Sequence, residues 1–205
     1  MANIKTNPST VAEKANSAIG TYHLADNPNL YEVQRTNNYE FIVTDIDGIL
    51  KAGFDGTESN AYISNAQELI RLAVTSATVP HFSQNAIEVK RGNSTLKYAG
   101  VPSFESGSIT CNDFIGADVK AVLMAWQNLS YNVETEKVGL ASDYKKDCYL
   151  IEYSPDYQVV RKWKLYGCWI SGITEDNYDS ESNAKKKISV SITYDKGKID
   201  TSEEI

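Results

Sequence analysis

The sequence predicts a mainly β (α+β) chain: an antiparallel β-sandwich or barrel with one packed α-helix. A Gly92-Asn93 pair joins two short alternating runs, and both residues tolerate the positive φ of a tight hairpin turn. The last third of the chain consists almost entirely of strand-like runs, whereas apolar residues fall at helical spacing over residues 113–129. Strands that follow strands, with a helix inserted once, indicate this architecture.

The first half of the chain contains two predicted strands before the hairpin. Residues 39–45 are aromatic and β-branched, which favours a strand. Residues 67–79 begin with helix formers but continue with Ile70, Leu72 and Val74 in alternation, so we predict a strand that ends before Pro80.

The hairpin itself pairs residues 86–91 with residues 94–98. Pro102 has no amide hydrogen for a ladder, so residues 100–103 are predicted to cross between elements, and the chain re-enters the sheet at about Gly107. Further strands are predicted over residues 147–154, 159–173 and 187–195.

The predicted helix begins at Asp113, whose carboxylate can cap the first turn. Its apolar stripe consists of Ile115, Val119, Val122, Leu123, Trp126 and Leu129. The predicted core of sheet and helix includes Ile87, Val89, Leu96, Tyr98, Trp126, Trp163 and Val190.

Length and composition indicate one domain over residues 1–205 with three extensions: an N-terminal arm (1–38), a long Gly/Asp loop (48–60) and an acidic tail (196–205). The net charge is −7 and there is no basic run, so attraction to nucleic-acid phosphates is not expected as the main function. No signal peptide or membrane-spanning run is recognisable, and no membrane partner is expected. Three widely spaced cysteines, Cys111, Cys148 and Cys168, predict free and mostly buried thiols, with no zinc site or other cofactor.

The residues Asp45-Ile-Asp47-Gly48, which follow an apolar strand, resemble the first motif of haloacid-dehalogenase phosphatases. That resemblance implies a magnesium-dependent phosphohydrolase with Asp45 as nucleophile and Asp47 as acid/base, and Asp143 and Asp147 resemble the late metal-binding pair. The hairpin and Pro102 conflict with the parallel sheet of that family, and a strand end running into a turn explains the motif equally well. A monomeric carbohydrate-binding β-sandwich that uses its tryptophans and tyrosines is a third interpretation.

Residues 39–195 resemble the tube proteins of contractile phage tails and, more distantly, those of pyocins and type VI secretion systems. The ordered set of segments carries this resemblance, more than any single motif. The segments are Val79-Pro80-His81-Phe82, the hairpin 87–100, Pro102-Ser103-Phe104, the strand 109–113 leading to the Trp126 helix, the strand 149–154, the run Trp163 to Ser171, and the closing strand 188–195.

The resemblance implies a structural subunit, not an enzyme, that closes into hexameric rings. The rings stack into a hollow tail tube for genome ejection, or into the inner tube of a headless injection device. The implied partners are further copies of the chain, a baseplate, a terminator, a sheath and a tape measure, with double-stranded DNA passing unbound; the implied location is the virion after assembly in the host cytoplasm.

Two sets of residues are expected to serve this assembly. Ser189, Ser191 and Thr193, or Glu88 and Lys90, are candidates for the lumen or the outer surface. The long loop is expected to contact neighbouring subunits and rings, through Asp47, Gly48, Lys51, Phe54, Asp55 and Glu58.

Overall fold

The structure is a computed structural model that describes residues 33–46, 48–49, 66–115, 118–181 and 183–200. The chain divides into two compact units, Met1–Asn38 and Tyr39–Ile205. In the first unit the structure describes residues 33–38, which contain a turn at residues 36–37. All further description concerns the second unit.

Strands dominate the second unit, and the prediction of a mainly β fold is confirmed. The strands are β1 (Tyr39–Val43), β2 (Val74–Ala77), β3 (Phe82–Arg91), β4 (Ser94–Phe104), β5 (Gly107–Asn112), β6 (Tyr131–Asn132), β7 (Lys137–Val138), β8 (Lys146–Tyr153), β9 (Val159–Glu175), β10 (Lys187–Thr193) and β11 (Lys196–Ile199). The helices whose full extent lies in the described residues are α1 (Ala66–Ala73), α2 (Val119–Ser130) and the single turn α3 (Ala141–Tyr144). Within the described ranges, no helix has both the length and the apolar character needed to cross a bilayer.

Seven strands form the main antiparallel sheet in the order β1-β8-β9-β10-β5-β2, with β11 also paired to β9. The strand β9 is 17 residues long and belongs to two halves of this sheet. Its first part pairs with β8 and β11, and residues from Trp169 onward pair with β10. Between the two parts, Gly167 has a φ of 63°, and a Cβ there would lie 2.5 Å from a carboxylate oxygen of Asp195, so this position requires glycine.

The core lies between the two halves of the sheet and the helices. Alternate residues of the strands contribute to it, because successive side chains of a strand point to opposite faces. Trp126 is 3% exposed and donates its indole N–H to the Tyr144 carbonyl at 2.8 Å, which satisfies its polar atom. Val190 is buried as well, and Trp163 packs against the same cluster.

The predicted strand over residues 67–79 is wrong for its first half, which forms α1. Ala66, Ile70 and Ala73 are buried and spaced four and three residues apart, whereas Leu72 is exposed. This is the pattern of one helix face. The apparent alternation of Ile70, Leu72 and Val74 misled the prediction because Leu72 faces solvent; the strand begins only at Val74.

Two further boundaries differ from prediction. Residues 100–103 do not cross between elements but continue β4, where Pro102 lies opposite Gln84 beside a bulge in the ladder. A bulge or edge position is where a strand tolerates proline. Residues 196–199 form β11 instead of the start of a tail, and the Asp200 amide donates to the Lys162 carbonyl at 2.6 Å. Residues 201–205 of that tail lie outside the described residues.

Helix α2 begins five residues later than predicted, because Asp118, not Asp113, is its N-cap. The Asp118 carboxylate accepts a hydrogen bond from the Ala121 amide at 2.8 Å. Ile115, a member of the predicted helix stripe, is fully exposed before the helix starts.

We therefore expect Asp118→Ala to lower the free energy of unfolding by about 1 kcal/mol, because the orphan amides of the first turn lose their acceptor. The matched control is Asp113→Ala, which is expected to change it by less than about 0.5 kcal/mol. Urea denaturation of both variants measures the difference, and equal effects would show that the cap is misassigned.

Candidate functional site

The hairpin of β3 and β4 forms a separate two-stranded ribbon beside the main sheet. Its turn is Gly92-Asn93, with Gly92 at a φ of 60°, so the predicted turn is confirmed. The base is anchored by ring contacts: Phe82 lies 5.6 Å from Phe104, and Phe104 lies 6.2 Å from Tyr194. Beyond this anchor every residue of β3 is exposed.

One face of the ribbon is apolar. Val89 lies directly opposite Leu96, and Ile87 lies opposite Tyr98, so the four side chains share one face. They are 41–55% exposed. These four residues were predicted to be core, and that prediction is wrong for the single chain: the alternation is real, but no described residue covers the face. We call Ile87, Val89, Leu96 and Tyr98 the ribbon apolar face.

The opposite face of the ribbon is polar. Glu88 lies opposite Lys97, and their side chains form an exposed ion pair of 3.2 Å. Lys90 lies opposite Thr95 on the same face. An isolated two-stranded hairpin is marginal in water. A long ribbon with one apolar face therefore has the form of an arm that docks on another surface.

The second surface is a hydroxyl face on the half-sheet of β2, β5, β10 and the end of β9. Ladder pairing aligns two rows of side chains across these four strands. The first row is Ser76, Thr110, Ser189 and Thr174, and the second row is Thr78, Ser108, Ser191 and Gly172. Within the second row, the Thr78 hydroxyl donates to the Ser108 carbonyl at 3.1 Å.

No charged side chain occurs in either row of the hydroxyl face. Gly172 has nothing within 4 Å of a built Cβ, so the space above this position is open. The next residue of β10 on this face is Lys187, at the end of the strand, and its amide donates to the Asp176 carboxylate at 3.1 Å. The face is thus neutral in its centre, with a lysine and an aspartate together at one rim.

The half-sheet that carries the hydroxyl face is open at both edges. Strand β2 pairs with β5 on one side only, and residues 169–175 of β9 pair only with β10; within the described part of the chain no other strand completes these ladders. An open edge presents unpaired N–H and C=O groups that can pair with another chain. The two edges lie on opposite sides of a four-stranded surface.

The third surface is a lysine–tyrosine face on the half-sheet of β8, β9 and β11. Lys162 lies 4.6 Å from the Tyr149 ring centre, and Lys164 lies 4.7 Å from that of Tyr166. The hydrogen bond to Asp147, at 3.2 Å, is the main reason that the pKa of Lys164 is raised. Lys198 also approaches the Tyr166 ring, at 5.7 Å. The Asp147 carboxylate therefore favours the charged form of Lys164.

A charged cluster ties the end of β9 to helix α2. Glu175 accepts from Lys120 of the helix at 2.6 Å and from Lys186 at 2.8 Å. These two hydrogen bonds, that of Lys120 first, hold the pKa of Glu175 below its usual value. The cluster therefore stays paired near neutral pH and fixes the position of the open β9 edge relative to the helix.

Of the residues predicted for phosphatase chemistry, those that the structure describes are engaged in other contacts. The strand that precedes Asp45 pairs antiparallel with β8, whereas the phosphatase motif requires a parallel sheet. Asp45 bonds to Lys146 at 2.9 Å, and Asp147 bonds to Lys164. Asp143 lies on α3, and Asp47 lies outside the described residues. Where the structure describes the chain, no group of three or more His, Cys, Asp and Glu side chains could hold a metal.

All three cysteines are free and buried, so that prediction is confirmed. Burial raises the pKa of Cys111 to about 12. Burial, with a contribution from the neighbouring Cys168 thiol, raises the pKa of Cys148. These thiols are inert packing residues.

The predicted inter-subunit loop is described only at its start. Gly48 lies in a short helical stretch with the buried Ile46 and Ile49. The other five members of that set, Asp47, Lys51, Phe54, Asp55 and Glu58, lie outside the described residues. The four residues of the ribbon apolar face were predicted to be core because alternation reports an apolar side of a strand without naming the partner that covers it.

Several solved structures of other proteins are similar to the fold of this chain. A chain of the extracellular contractile injection system PVC sheath–tube complex in its extended state matches with a TM-score of 0.60 and 14% identity, over 86% of this chain and 96% of that one. The tube-terminating cap of the anti-feeding prophage matches with a TM-score of 0.59 and 16% identity, over 83% and 93%. The chain has the fold of contractile-system tube proteins.

A third tube-fold structure, from the PVC sheath/tube terminator, matches with a TM-score of 0.58 and 15% identity, over 83% of this chain and 98% of that one. No protein-family model matches the sequence, and no curated protein matches it. With identities this low, the similarity is one of fold. The tube fold agrees with the resemblance read from the ordered segments.

Proposed function

We propose that this chain is the structural subunit of a hollow tail tube, in which six copies close a ring and rings stack end to end. The observation that carries the proposal is the four-stranded half-sheet with two open edges. A heterologous contact, in which one edge of each copy pairs with the other edge of the next, closes into a ring when the rotation between copies permits. The tube fold supports the same role.

The size of such a ring follows from strand spacing. Four strands at about 4.8 Å give about 19 Å of sheet per chain, so six chains close a barrel about 37 Å across, measured between backbones. Strand tilt widens this value. A barrel of this width leaves an open channel along its axis.

The ribbon supplies the second contact of the proposed assembly. Its apolar face needs a cover, and the partner we propose is another copy of the chain, because an exposed apolar ribbon on a separate monomer would promote aggregation. The base, held by Phe104 against the core, fixes the direction of the arm. Whether the ribbon contacts the same ring or the next, it buries the same four side chains.

In the complete particle the proposed partners are a baseplate, a terminator, a sheath and a tape measure. The proposed conduit carries double-stranded DNA in a phage tail located in the virion. The inner tube of an injection device is the second candidate, and the fold similarity to extracellular contractile injection systems favours it. Both functions use the same ring.

Negative-stain electron microscopy of the purified full-length chain tests the proposal. We expect hollow rings or tubes with six-fold end views and a channel near the calculated width. A chain that stays monomeric at every concentration and salt examined would overturn the tube function. Magnesium-dependent phosphatase activity that is lost in Asp45→Asn would instead establish the enzyme.

A further inference from the structure

We propose that a bulge in strand β4, formed by Gly100 and Val101, sets the direction in which the ribbon apolar face is presented to another copy of the chain. Both residues lie opposite the single residue Asn85 of β3, between the base of the ribbon and its apolar face. This inference rests on the proposed contact between copies and adds the element that directs it. Gly100 and Val101 are thus positioning residues of the assembly.

The base of the ribbon is held firmly on the main sheet. Phe104 packs against Tyr194, which is only 5% exposed. The Glu105 amide donates to the His81 carbonyl at 3.3 Å, and the Ser83 hydroxyl donates to the Glu105 carboxylate at 3.0 Å. Because the base is fixed on both strands, the direction of the arm is determined beyond it, where the bulge lies.

The alternation along β3 shows which side of the arm is apolar. Successive side chains of a strand point to opposite faces, and the extra residue lies on β4, so the alternation of β3 is continuous. Phe82, at the anchor, therefore shares a face with Glu88, whereas Ile87 lies on the other face. An arm that folded straight back toward its own anchor would cover the Glu88–Lys97 ion pair and leave the apolar side chains exposed. The bend of the arm decides where those side chains point.

A bulge changes the direction of a ribbon without changing which residues share a face. The bulged strand bends, and its local right-handed twist increases. Glycine suits this place because a Cβ at Gly100 would overlap the Asn85 carbonyl oxygen. Val101 is 86% exposed, so it contributes chain length and little packing. Beyond the bulge, residues 86–91 pair regularly with residues 94–99, so this part of the arm changes direction as one piece.

The length of the arm makes its contact sensitive to the bend. From Asn85 to Gly92 the arm extends about 23 Å, at about 3.3 Å per residue. A change of direction of about 15° at the bulge moves the tip by about 6 Å, which exceeds the spacing of neighbouring strands. Such a displacement takes the four apolar side chains away from the surface that covers them.

Deletion of Val101 tests the proposal, because it leaves one residue opposite Asn85 and restores a regular ladder. All four residues of the ribbon apolar face remain. The thermal midpoint of unfolding is expected to stay unchanged, since no core residue is altered. We expect the concentration needed for tube formation to rise at least about tenfold, because the lost burial of one apolar side chain already accounts for that factor.

Val101→Ser is the matched control, since it keeps the length of the bulge and replaces an exposed side chain. It is expected to form tubes at the same concentration as the unsubstituted chain, as judged by sedimentation and electron microscopy. Equal loss of assembly in both variants would show that the Val101 side chain makes the contact itself, and the proposal would be wrong. Normal assembly of the deletion variant would also overturn it.

A distance measurement in dissociated chains tests the bend without assembly. The native cysteines are buried, so spin labels attach to Lys90→Cys near the ribbon tip and to Met124→Cys on helix α2. We expect the distance between the labels, measured by pulsed electron paramagnetic resonance, to shift by at least about 5 Å on deletion of Val101 and to stay unchanged in Val101→Ser. The same distance in all three chains would contradict the proposal.

The two measurements separate this inference from the proposed function. If the unsubstituted chain forms no tubes, the proposed function fails, whereas the distance between the labels still reports whether the bulge bends the arm. Should the deletion variant not fold, Gly100→Val replaces it in both measurements, because its side chain would collide with the Asn85 carbonyl and change the bulge.

Discussion

Replacing Trp126 with alanine is expected to lower the free energy of unfolding by about 3–5 kcal/mol, the range for deletion of a large buried aromatic side chain. Trp126 is 3% exposed and joins helix α2 to both the core and the Tyr144 carbonyl. Its removal leaves a cavity and also leaves that carbonyl without its indole donor. Equilibrium denaturation in urea, followed by circular dichroism, measures the loss.

Met124→Ala is the matched control, since Met124 lies on the same helix but is 44% exposed. We expect a loss below about 1 kcal/mol for it. Similar small losses in both variants would mean that helix α2 does not pack in the core as described. The comparison of the two variants thus isolates the effect of burial on stability, because helix propensity changes little when either residue is replaced by alanine.

Leu96→Asp is expected to abolish tube formation while changing the free energy of unfolding of the single chain by less than about 0.5 kcal/mol. The substitution places a charge in the ribbon apolar face, and burying an unpaired carboxylate against another copy is strongly unfavourable. Because residue 96 is exposed in the single chain, folding itself loses little. Electron microscopy and analytical ultracentrifugation measure assembly, and thermal denaturation measures the fold.

Thr95→Asp carries the same charge on the opposite, polar face of the ribbon, one residue away. It is expected to form tubes as the unsubstituted chain does. If Leu96→Asp assembles equally well, the ribbon apolar face is not a contact between copies. If both variants fail, the ribbon tolerates no added charge on either face and the assignment of one docking face is wrong.

The elements that could be predicted from the sequence are those determined by residues close together in the chain. The Gly92-Asn93 turn depends on the φ preferences of two residues. Along β10, buried residues alternate strictly with exposed ones, and the buried residues pack in the core. Both features could be predicted because the residues themselves determine the local conformation and the buried face. The prediction of a single helix missed α1, since three buried residues over two turns give a weak periodic signal.

The prediction failed where the partner of a residue determines its environment. Leu96 and Tyr98 alternate with polar residues as core residues do, yet the described part of the single chain provides no cover for them. The helix cap was misplaced because Asp113 and Asp118 are chemically equivalent, and only the path of the backbone selects Asp118. The hydroxyl face was recognised on β10 alone, because its rows also depend on the ladder register with β5 and β9.

The length of β9 has a mechanical consequence for the proposed tube. One uninterrupted strand runs from the half-sheet containing β8 and β11 into the half-sheet that would form the ring wall, turning at Gly167. An axial push on the wall therefore reaches the rest of the subunit through covalent bonds. Force directed along β9 loads its ladder hydrogen bonds together in shear, instead of opening them one at a time as peeling does.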